Sequence, residues 1–346
     1  MSHGTLFIGD VAVGDGQPCF IIAEVGSNHD NDLDQARRLI DEAAKAGVDA
    51  VKFQTFRATE HYSRYTPGFE YLDSQNTFEL IKSLEMDRSW HAVLKEHAEA
   101  QGVAVFSSPC DPDAIEELAA LETPAYKVAS FDLPDVELIG QMARTGKPVI
   151  LSTGMANKDD IRRGVKACRS NGNDQVVLLQ CTSLYPAPAD LSNLRAMAIM
   201  RADFDCLVGY SDHTEGDSVA VASVALGACM IEKHFTLDSS LPGPDHSFAI
   251  EPQALAALVR KVRDVESALG DGLKDGPRAA EREMFEKGRR SLHTKVDIAA
   301  GQIIEAAMLT VKRPGLGIPP AQQAEVVGRV AKTDIAADHW ITWDMI

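Results

Sequence analysis

The chain of 346 residues is acidic, with a formal net charge of −17, and contains 45% hydrophobic and 25% charged residues. This length accommodates one large domain and a small one, and the composition is typical of a globular protein. Because the negative charge repels phosphate backbones and anionic lipids, we expect neither nucleic acid nor membrane as a partner. The first residues lack a signal-peptide pattern and no apolar run reaches the ~18 residues of a membrane span, so we expect a cytoplasmic protein.

Short apolar runs alternate with amphipathic helical patterns along most of the chain. The runs that predict buried strands are 20–27, 50–55, 103–109, 125–130, 148–153, 176–181, 206–212 and 229–235. Continuously apolar strands are buried on both faces, which indicates a parallel sheet. Eight strand–helix units in about 250 residues predict an α/β fold of the (β/α)8 TIM barrel type. The alternative is an open doubly wound sheet, although no GxGxxG motif follows the first strand.

Changes in composition predict the domain boundaries. We assign the barrel to residues 1–269, including an N-terminal hairpin that turns at Gly14–Gly16. A long aromatic-rich insertion at 56–87 follows the second strand and is a candidate lid or substrate loop. A charged linker is predicted at 270–291, and the short alternating runs of 292–346 predict a separate small β-rich module.

Two histidines end neighbouring predicted strands, in the motifs VGYSDH and MIEKHF. The spacing between His213 and His234 leaves room for one strand–helix unit. Because the carboxyl ends of barrel strands converge on one face, the two imidazoles could hold a divalent metal with open coordination positions. Two polar strand caps without a metal are the alternative interpretation.

Two lysines, Lys52 and Lys127, lie inside predicted parallel strands, where burial without a partner is costly. One explanation is a structural ion pair with Glu24 or Glu232. Another is that both lysines, with the strand-end hydroxyls, bind a phosphate group and so focus positive charge in an acidic protein. A third possible role for Lys127 is to form a Schiff base with a carbonyl substrate. A metal bound by the two histidines argues against it, because the metal already polarises the carbonyl.

Nine motifs in order resemble the sialic acid synthase family, among them IIAEVGSNHD, AGVDAVKFQTF, AYKVASFDLPD, VGYSDHT and IEKHFTLD. The tail resembles the antifreeze-like (SAF, β-clip) module that follows the barrel in these enzymes, with VKRPG at 311–315 as its clearest motif. The resemblance covers residues 18–346. It implies a transferase that condenses phosphoenolpyruvate with N-acetylmannosamine or a related acetamido hexose, plus water, to give a nine-carbon α-keto acid and phosphate.

The resemblance also implies roles for individual residues. The expected metal ligands are His213 and His234, with Mn²⁺ as the ion and Mg²⁺ or Co²⁺ as alternatives. The expected catalytic residues are Glu24, Lys52, Lys127, His213 and His234. The expected phosphoenolpyruvate-binding residues are Lys52, Ser108, Lys127, Ser130, Ser152, Ser183 and Ser211. The expected sugar contacts are Gln54, Asp132, Tyr185, Asp245 and Arg313. Of these, Arg313 is expected to reach the acetamido group from the partner subunit of a domain-swapped homodimer.

A few positions depart from the family pattern and leave the sugar open. Asp132 stands where sialic acid synthases often carry Glu, and Ala129–Phe131 is closer to the pseudaminic acid branch. The acceptor is therefore N-acetylmannosamine or a 2,4-diacetamido-trideoxy hexose of the legionaminic or pseudaminic routes. Two other classes remain as alternatives, a metal-dependent aldolase and a non-catalytic carbohydrate-binding protein.

Overall fold

A computed structural model describes residues 4–68 and 76–346, and the chain divides into two compact units at Gly270–Asp271. In the first unit, eight parallel strands form a closed barrel. In chain order they are β3 Phe20–Gly26, β4 Ala50–Thr55, β5 Ala104–Pro109, β6 Tyr126–Val128, β7 Val149–Ser152, β8 Val176–Cys181, β9 Leu207–Asp212 and β10 Met230–His234. Because β10 pairs directly with β3, the predicted TIM barrel is confirmed and the open doubly wound sheet is wrong.

Helices follow the barrel strands and cover its outer face. They are α1 Leu33–Ala46, α2 Ala58–His61, α3 Thr77–Ser83, α4 Trp90–Ala100, α5 Pro112–Ala120, α6 Val136–Arg144, α7 Lys158–Ser170, α8 Ala196–Phe204, α9 Ser218–Ala225 and α10 Pro252–Leu269. Helices α2 and α3 belong to the predicted insertion, of which residues 69–75 lie outside the described part of the chain. Among the described residues, every helix is too short or too polar to traverse a bilayer.

Local sequence signals explain where the helices begin and end. The Asp32 carboxylate accepts hydrogen bonds from the first backbone N–H groups of α1, and Gly47 ends the helix in the left-handed region at φ 87°. Asn157 and Asp160 form a reciprocal capping box at the start of α7. Because each helix begins and ends close to the neighbouring strands, the carboxyl ends of all eight strands lie at the same face of the barrel.

The N-terminal hairpin consists of β1 Leu6–Ile8 and β2 Val11–Val13. Its turn lies at Gly9 and Asp10, where Gly9 has a φ of 59°. The chain also turns at 14–17, where the Gln17 N–H donates to the Gly14 carbonyl at 3.2 Å. This is not the hairpin's turn, so the prediction that the hairpin turns at Gly14–Gly16 is wrong. Both stretches carry a Gly-Asp turn signal, and the earlier one is used because it aligns the alternating apolar residues of the two strands.

The hairpin also fills the amino-terminal end of the barrel. Leu6, Ile8 and Val13 are buried in one cluster with Phe20 and Ile22 of the first barrel strand. Packed side chains thus occupy the barrel interior below the strand ends, as is usual for this fold. The carboxyl ends of the strands are left to form a site.

The second unit contains an antiparallel pair of strands, β11 Ser291–Thr294 and β12 Leu309–Lys312, and a short helix, α11 Gln323–Val326. Isolated bridges such as Ile298 to Ile335 extend the strand-like pairing. Its own apolar core includes Leu292, Ile304, Leu309, Ile318, Val326 and Ile341. The unit therefore has a hydrophobic centre separate from that of the barrel.

Candidate active site

A pocket of about 150 Å³ opens at the carboxyl ends of the barrel strands. Of the residues predicted for the site, those that line it are Glu24, Lys52, Gln54, Ser108, Lys127, Asp132, Ser130, Ser152, Tyr185, Ser211, His213, His234 and Asp245. Ser183 is not among the lining residues, and its hydroxyl lies beside Gly154, as does that of Ser130. Arg313 belongs to the second unit, where its Nε donates to the carbonyl of Gly288 at 2.6 Å.

The two histidines face each other with ring centroids 5.3 Å apart. His213 Nδ1 lies 2.7 Å from the carbonyl oxygen of Thr182. A carbonyl only accepts, so Nδ1 carries the proton and Nε2 keeps its lone pair. Burial lowers the pKa of His213 to about 4. Burial, reinforced by the nearby His213, also lowers the pKa of His234 well below its usual value. Both rings are therefore neutral near pH 7.

The donor set fits a divalent metal ion. The buried Nδ1 of His234 finds no hydrogen-bond partner among the described residues, and the nearest carboxylate oxygen, Oδ2 of Asp245, is 3.8 Å away. Neutral imidazole nitrogens are common ligands of divalent transition metals, and a hydrogen bond to the other ring nitrogen fixes the tautomer, as Thr182 does for His213. His213 and His234 are thus the residues that could hold the ion.

Lys52 lies beside Glu24 in a buried ion pair, with Nζ 2.7 Å from Oε2. Gln54 donates to the other oxygen of Glu24 at 2.8 Å. Burial opposes the charge of Lys52, but Glu232 and Glu24 outweigh it and raise the pKa of the ammonium. For Glu24, burial is the largest influence, and it raises the pKa of the carboxyl despite the lysine.

Lys127 is the second buried lysine, 3.5 Å from Glu232. Burial lowers the pKa of Lys127, although Glu232 opposes the effect. Burial would raise the pKa of Glu232, but Lys127 and Lys52 outweigh it and lower that pKa. Ser211 donates to Glu232 at 3.2 Å. The structural ion pairs considered from the sequence are therefore formed, and both lysines also face the pocket.

Hydroxyl groups with unused hydrogen-bonding capacity lie along one side of the pocket. The buried hydroxyls of Ser152 and Ser183 have no partner within the described parts of the chain, while Ser130 accepts from the backbone N–H of Gly154 at 3.0 Å. Lys52 donates to Ser108 at 3.1 Å. Buried polar groups without partners are rare, so these hydroxyls are candidates for hydrogen bonds to a bound molecule.

The rest of the pocket wall is largely aromatic and apolar. Tyr185 stacks against His213 with ring centroids 4.2 Å apart. Side chains from the insertion and the β6 loop line the opposite wall, namely Phe56, Tyr62, Ile81, Leu84 and Phe131. Burial raises the pKa of both Asp132 and Asp245, which also face the pocket. A small polar molecule with an apolar edge fits such a surface.

The pocket also contains residues for which the sequence predicted no binding or catalytic role. Glu232, Ser27, His61 and Cys110 all line it. Strand alternation gives a signal for Glu232, since it precedes His234 by two residues and so lies on the same face. His61 has no such signal because it comes from the insertion.

A buried ion pair lies behind the two histidines. Lys233 donates to Asp212 and to the carbonyl oxygen of Thr214, each at 2.7 Å. These two charged residues are register partners on β10 and β9. Each directly precedes one histidine, so the pair ties together the two backbone segments that carry His213 and His234.

Comparison with known proteins agrees with this fold. Residues 39–274 match the model of the NeuB family and residues 289–346 match that of the SAF domain. The N,N'-diacetyllegionaminic acid synthase of Campylobacter jejuni is 38% identical over 93% of this chain and 98% of its own. The human N-acetylneuraminate-9-phosphate synthase is 36% identical over 96% of this chain and 94% of its own.

A solved structure shows the same architecture. The N-acetylneuraminic acid synthetase of Leptospira borgpetersenii matches with a TM-score of 0.75 and 33% identity, over 82% of this chain and 96% of its own. The chain belongs to the NeuB family, a (β/α)8 barrel followed here by a SAF domain. Its relatives are enzymes of the sialic acid synthase type.

Proposed function

We propose that this protein condenses phosphoenolpyruvate with N-acetylmannosamine or a related acetamido hexose, consuming water and releasing phosphate, to form a nine-carbon α-keto acid. The observation that supports this most is the pairing of two neutral imidazoles with two buried lysines around one pocket. Membership of the NeuB family supports the same class of reaction.

In this proposal the two sides of the pocket bind different substrates. Lys52 and Lys127 bind the anionic groups of phosphoenolpyruvate, as charge-assisted donors. The hydroxyls that assist them are those of Ser108, Ser130, Ser152, Ser183 and Ser211. The sugar is held by Gln54, Asp132, Tyr185 and Asp245. Arg313 of the partner subunit completes the sugar site in a domain-swapped homodimer.

The reaction joins C3 of phosphoenolpyruvate to the aldehyde carbon of the open-chain sugar, whose oxygen takes up a proton. An ion bound by His213 and His234, Mn²⁺ with Mg²⁺ or Co²⁺ as alternatives, supplies Lewis acidity toward that oxygen. Water then adds to C2, and Glu24 accepts its proton. Burial raises the pKa of this carboxyl toward the range of an effective general base. The bond between C2 and the phosphate oxygen then breaks, and the proton of the new C2 hydroxyl passes to the departing phosphate, which leaves the α-keto acid. The water proton accepted by Glu24 replaces the one that the aldehyde oxygen took up.

The apolar wall of the pocket favours a second candidate for the acceptor sugar. The wall formed by Phe56, Ile81, Leu84 and Phe131 is apolar, and it suits the methyl groups of a 2,4-diacetamido-trideoxy hexose better than free hydroxyls. The Campylobacter jejuni relative is a legionaminic acid synthase by name. We therefore keep this deoxy sugar as the alternative substrate.

The identity of the product tests the proposal. Purified protein is incubated with phosphoenolpyruvate and each acetamido sugar in turn, and the products are identified by mass spectrometry together with phosphate release. We expect a keto acid in which three carbons have been added to one of the sugars. A metal-dependent aldolase would instead use a sugar without an acetamido group, and a carbohydrate-binding protein would release no phosphate.

The metal requirement is tested separately. EDTA should abolish turnover and Mn²⁺ should restore it. His234→Ala should fold normally but lose most of its turnover and its Mn²⁺ binding. Mn²⁺ binding is measured from the electron paramagnetic resonance signal of the free ion. Full activity in excess EDTA, or wild-type Mn²⁺ binding by the variant, would contradict this role.

A further inference from the structure

Three side chains with metal-binding atoms meet at the wall of the pocket, and none of them belongs to the histidine pair proposed above as metal ligands. His61, Cys110 and Asp132 each offer one ligand atom, and these atoms all lie within 4.8 Å of one another. Nε2 of His61 is 3.8 Å from Oδ1 of Asp132, and Sγ of Cys110 is 3.7 Å from Oδ2. We call these three residues the rim cluster.

The rim cluster lies across the barrel from the histidine pair. Cys110 follows β5 and Asp132 follows β6, whereas His213 follows β9. In the closed order of strands, β5 and β9 are separated by three strands on either side. The two groups of ligands thus lie on opposite sides of the pocket mouth and cannot share one ion.

The backbone around the rim cluster is fixed by hydrogen bonds. The N–H of Cys110 donates to the carbonyl of Thr55 at 3.0 Å, and that of Asp132 donates to the carbonyl of Ala129 at 3.0 Å. The ring of His61 packs edge-on against Tyr62, with centroids 4.8 Å apart. The backbone at Cys110 and Asp132 is therefore fixed, and the Cys110 thiol donates to the Asp132 carboxylate.

The donor set and its spacing match a thiophilic divalent ion. Zinc takes sulfur at about 2.3 Å and nitrogen or oxygen at about 2.0–2.2 Å in tetrahedral sites, which puts neighbouring ligand atoms about 3.3–3.6 Å apart. The observed separations of 3.7 and 3.8 Å exceed this by a few tenths of an ångström. These two distances go to different oxygens of Asp132, and the ligand atoms of His61 and Cys110 lie within 4.8 Å of each other. The side chains must therefore move inward for all three to contact one ion.

We propose that His61, Cys110 and Asp132 form a second divalent-cation site, selective for a thiophilic ion such as Zn²⁺, at the wall of the substrate pocket. Binding displaces the thiol proton of Cys110 to the buffer and leaves the fourth tetrahedral position open to water. The ion also engages Asp132. The further consequence, which rests on the proposed function, is that Zn²⁺ excludes the sugar from its part of the pocket and inhibits turnover.

Cobalt provides a direct test, because a Co²⁺–thiolate bond gives a charge-transfer band in the near ultraviolet. Metal-stripped protein is titrated with Co²⁺. We expect the band in the wild type and in His234→Ala, and expect it to be absent from Cys110→Ser. The matched control is Cys181→Ser, since Sγ of Cys181 lies 3.8 Å from Nδ1 of His213 and is the other thiol close to a candidate metal ligand. A band that survives in Cys110→Ser, or no band in the wild type, overturns the site.

Inhibition tests the consequence for catalysis. With Mn²⁺ in excess, Zn²⁺ should raise the apparent KM for the sugar, and the concentration giving half-inhibition should increase about tenfold or more in Cys110→Ser and in His61→Ala. Equal sensitivity of wild type and both variants would refute the inhibitory role. The cobalt band does not depend on turnover. If the protein makes no keto acid, the proposed function is disproved, but the cobalt test of the rim cluster still stands.

Discussion

Gly154 has no side chain at a point where the pocket leaves no room for one. A Cβ added there would lie 2.1 Å from the hydroxyl oxygen of Ser183 and 2.9 Å from that of Ser130. Both hydroxyls belong to the proposed phosphoenolpyruvate site. The φ of Gly154 is not in the left-handed region. Glycine is therefore required here by the lack of space between two hydroxyl groups, and not by the backbone conformation.

Gly154→Ala should therefore weaken binding of phosphoenolpyruvate by displacing Ser183. We expect its KM to rise about ten- to a hundredfold, since small misplacements of binding groups have effects of that size. Steady-state kinetics with each substrate varied separately measures the change. In Gly154→Ala/Ser183→Ala only the contact with Ser130 is left, so the added methyl group should raise the KM less than it does in the wild-type background. An unchanged KM in the single variant would contradict the steric argument.

His91 lies away from the substrate pocket, on α4, where its Nε2 is 3.1 Å from the hydroxyl of Thr55. Burial, with a smaller influence from Arg88, lowers the pKa of His91 to about 4. The folded protein therefore holds this ring neutral while the unfolded chain takes up a proton below about pH 6.5. Its contribution to stability is complete above that pH and is lost as the pH falls toward 4.

We expect this one histidine to lower the free energy of unfolding by about 2 kcal/mol between pH 7 and pH 5. His91→Gln should accordingly show a smaller decrease in Tm over this interval than the wild type, as measured by thermal unfolding at a series of pH values. The same slope in both proteins would show that the ring titrates normally in the folded state.

The sequence predicts the place of some site residues but not of others. His213 and His234 end apolar strands, and the barrel topology brings such ends together, so their proximity is predictable from pattern alone. Glu232 lies at a strand end on the same face as His234, and the sequence already offered it as an ion-pair partner of the buried lysines. Cys110 and His61 could not be paired from the sequence, because their contact depends on the path of an insertion that has no regular period.

At the scale of secondary structure, the barrel strands follow from their apolar runs, and each observed strand lies within one or two residues of the predicted run. The glycines that close the helices, such as Gly47 and Gly146, have the expected positive φ. The hairpin turn was misplaced because two Gly-Asp signals compete locally, and cross-strand packing against the barrel decides between them.

The strands β9 and β10 are tied by the Asp212–Lys233 pair, and we expect that pair to position the histidines. Lys233→Met leaves Asp212 buried without a counter-charge, which should destabilise the barrel by about 3–5 kcal/mol. It should also weaken Mn²⁺ binding about ten- to a hundredfold, as loss of groups that orient ligands commonly does. Thermal unfolding and Mn²⁺ titration by electron paramagnetic resonance measure the two effects.

Two further variants separate positioning from stability. Asp212→Asn/Lys233→Met removes both charges and should recover part of the lost Tm while Mn²⁺ binding stays weak, because the contact to Thr214 is not restored. Lys261→Met removes an exposed pair with Asp217 and should change neither quantity appreciably. Wild-type Mn²⁺ affinity in Lys233→Met would rule out the positioning role.

For the whole molecule, the proposed swapped dimer predicts complementation between two inactive variants. Arg313→Ala and His234→Ala should each have little activity alone. In a mixed dimer, one barrel has an intact His234 and receives Arg313 from its partner. Random re-association should therefore restore about a quarter of wild-type turnover. If mixed subunits, verified by mass, remain inactive, Arg313 does not act across the dimer.

The register that places His234 opposite Glu24 joins the last strand of the barrel to the first. These residues are separated by most of the barrel sequence, and no earlier segment can substitute for either strand. On the ribosome, then, seven strands can be complete while the chemistry is still absent. An ion that binds only the closed barrel would also stabilise that closure. The proposed active site is therefore completed late in folding, when the first and last strands of the barrel meet.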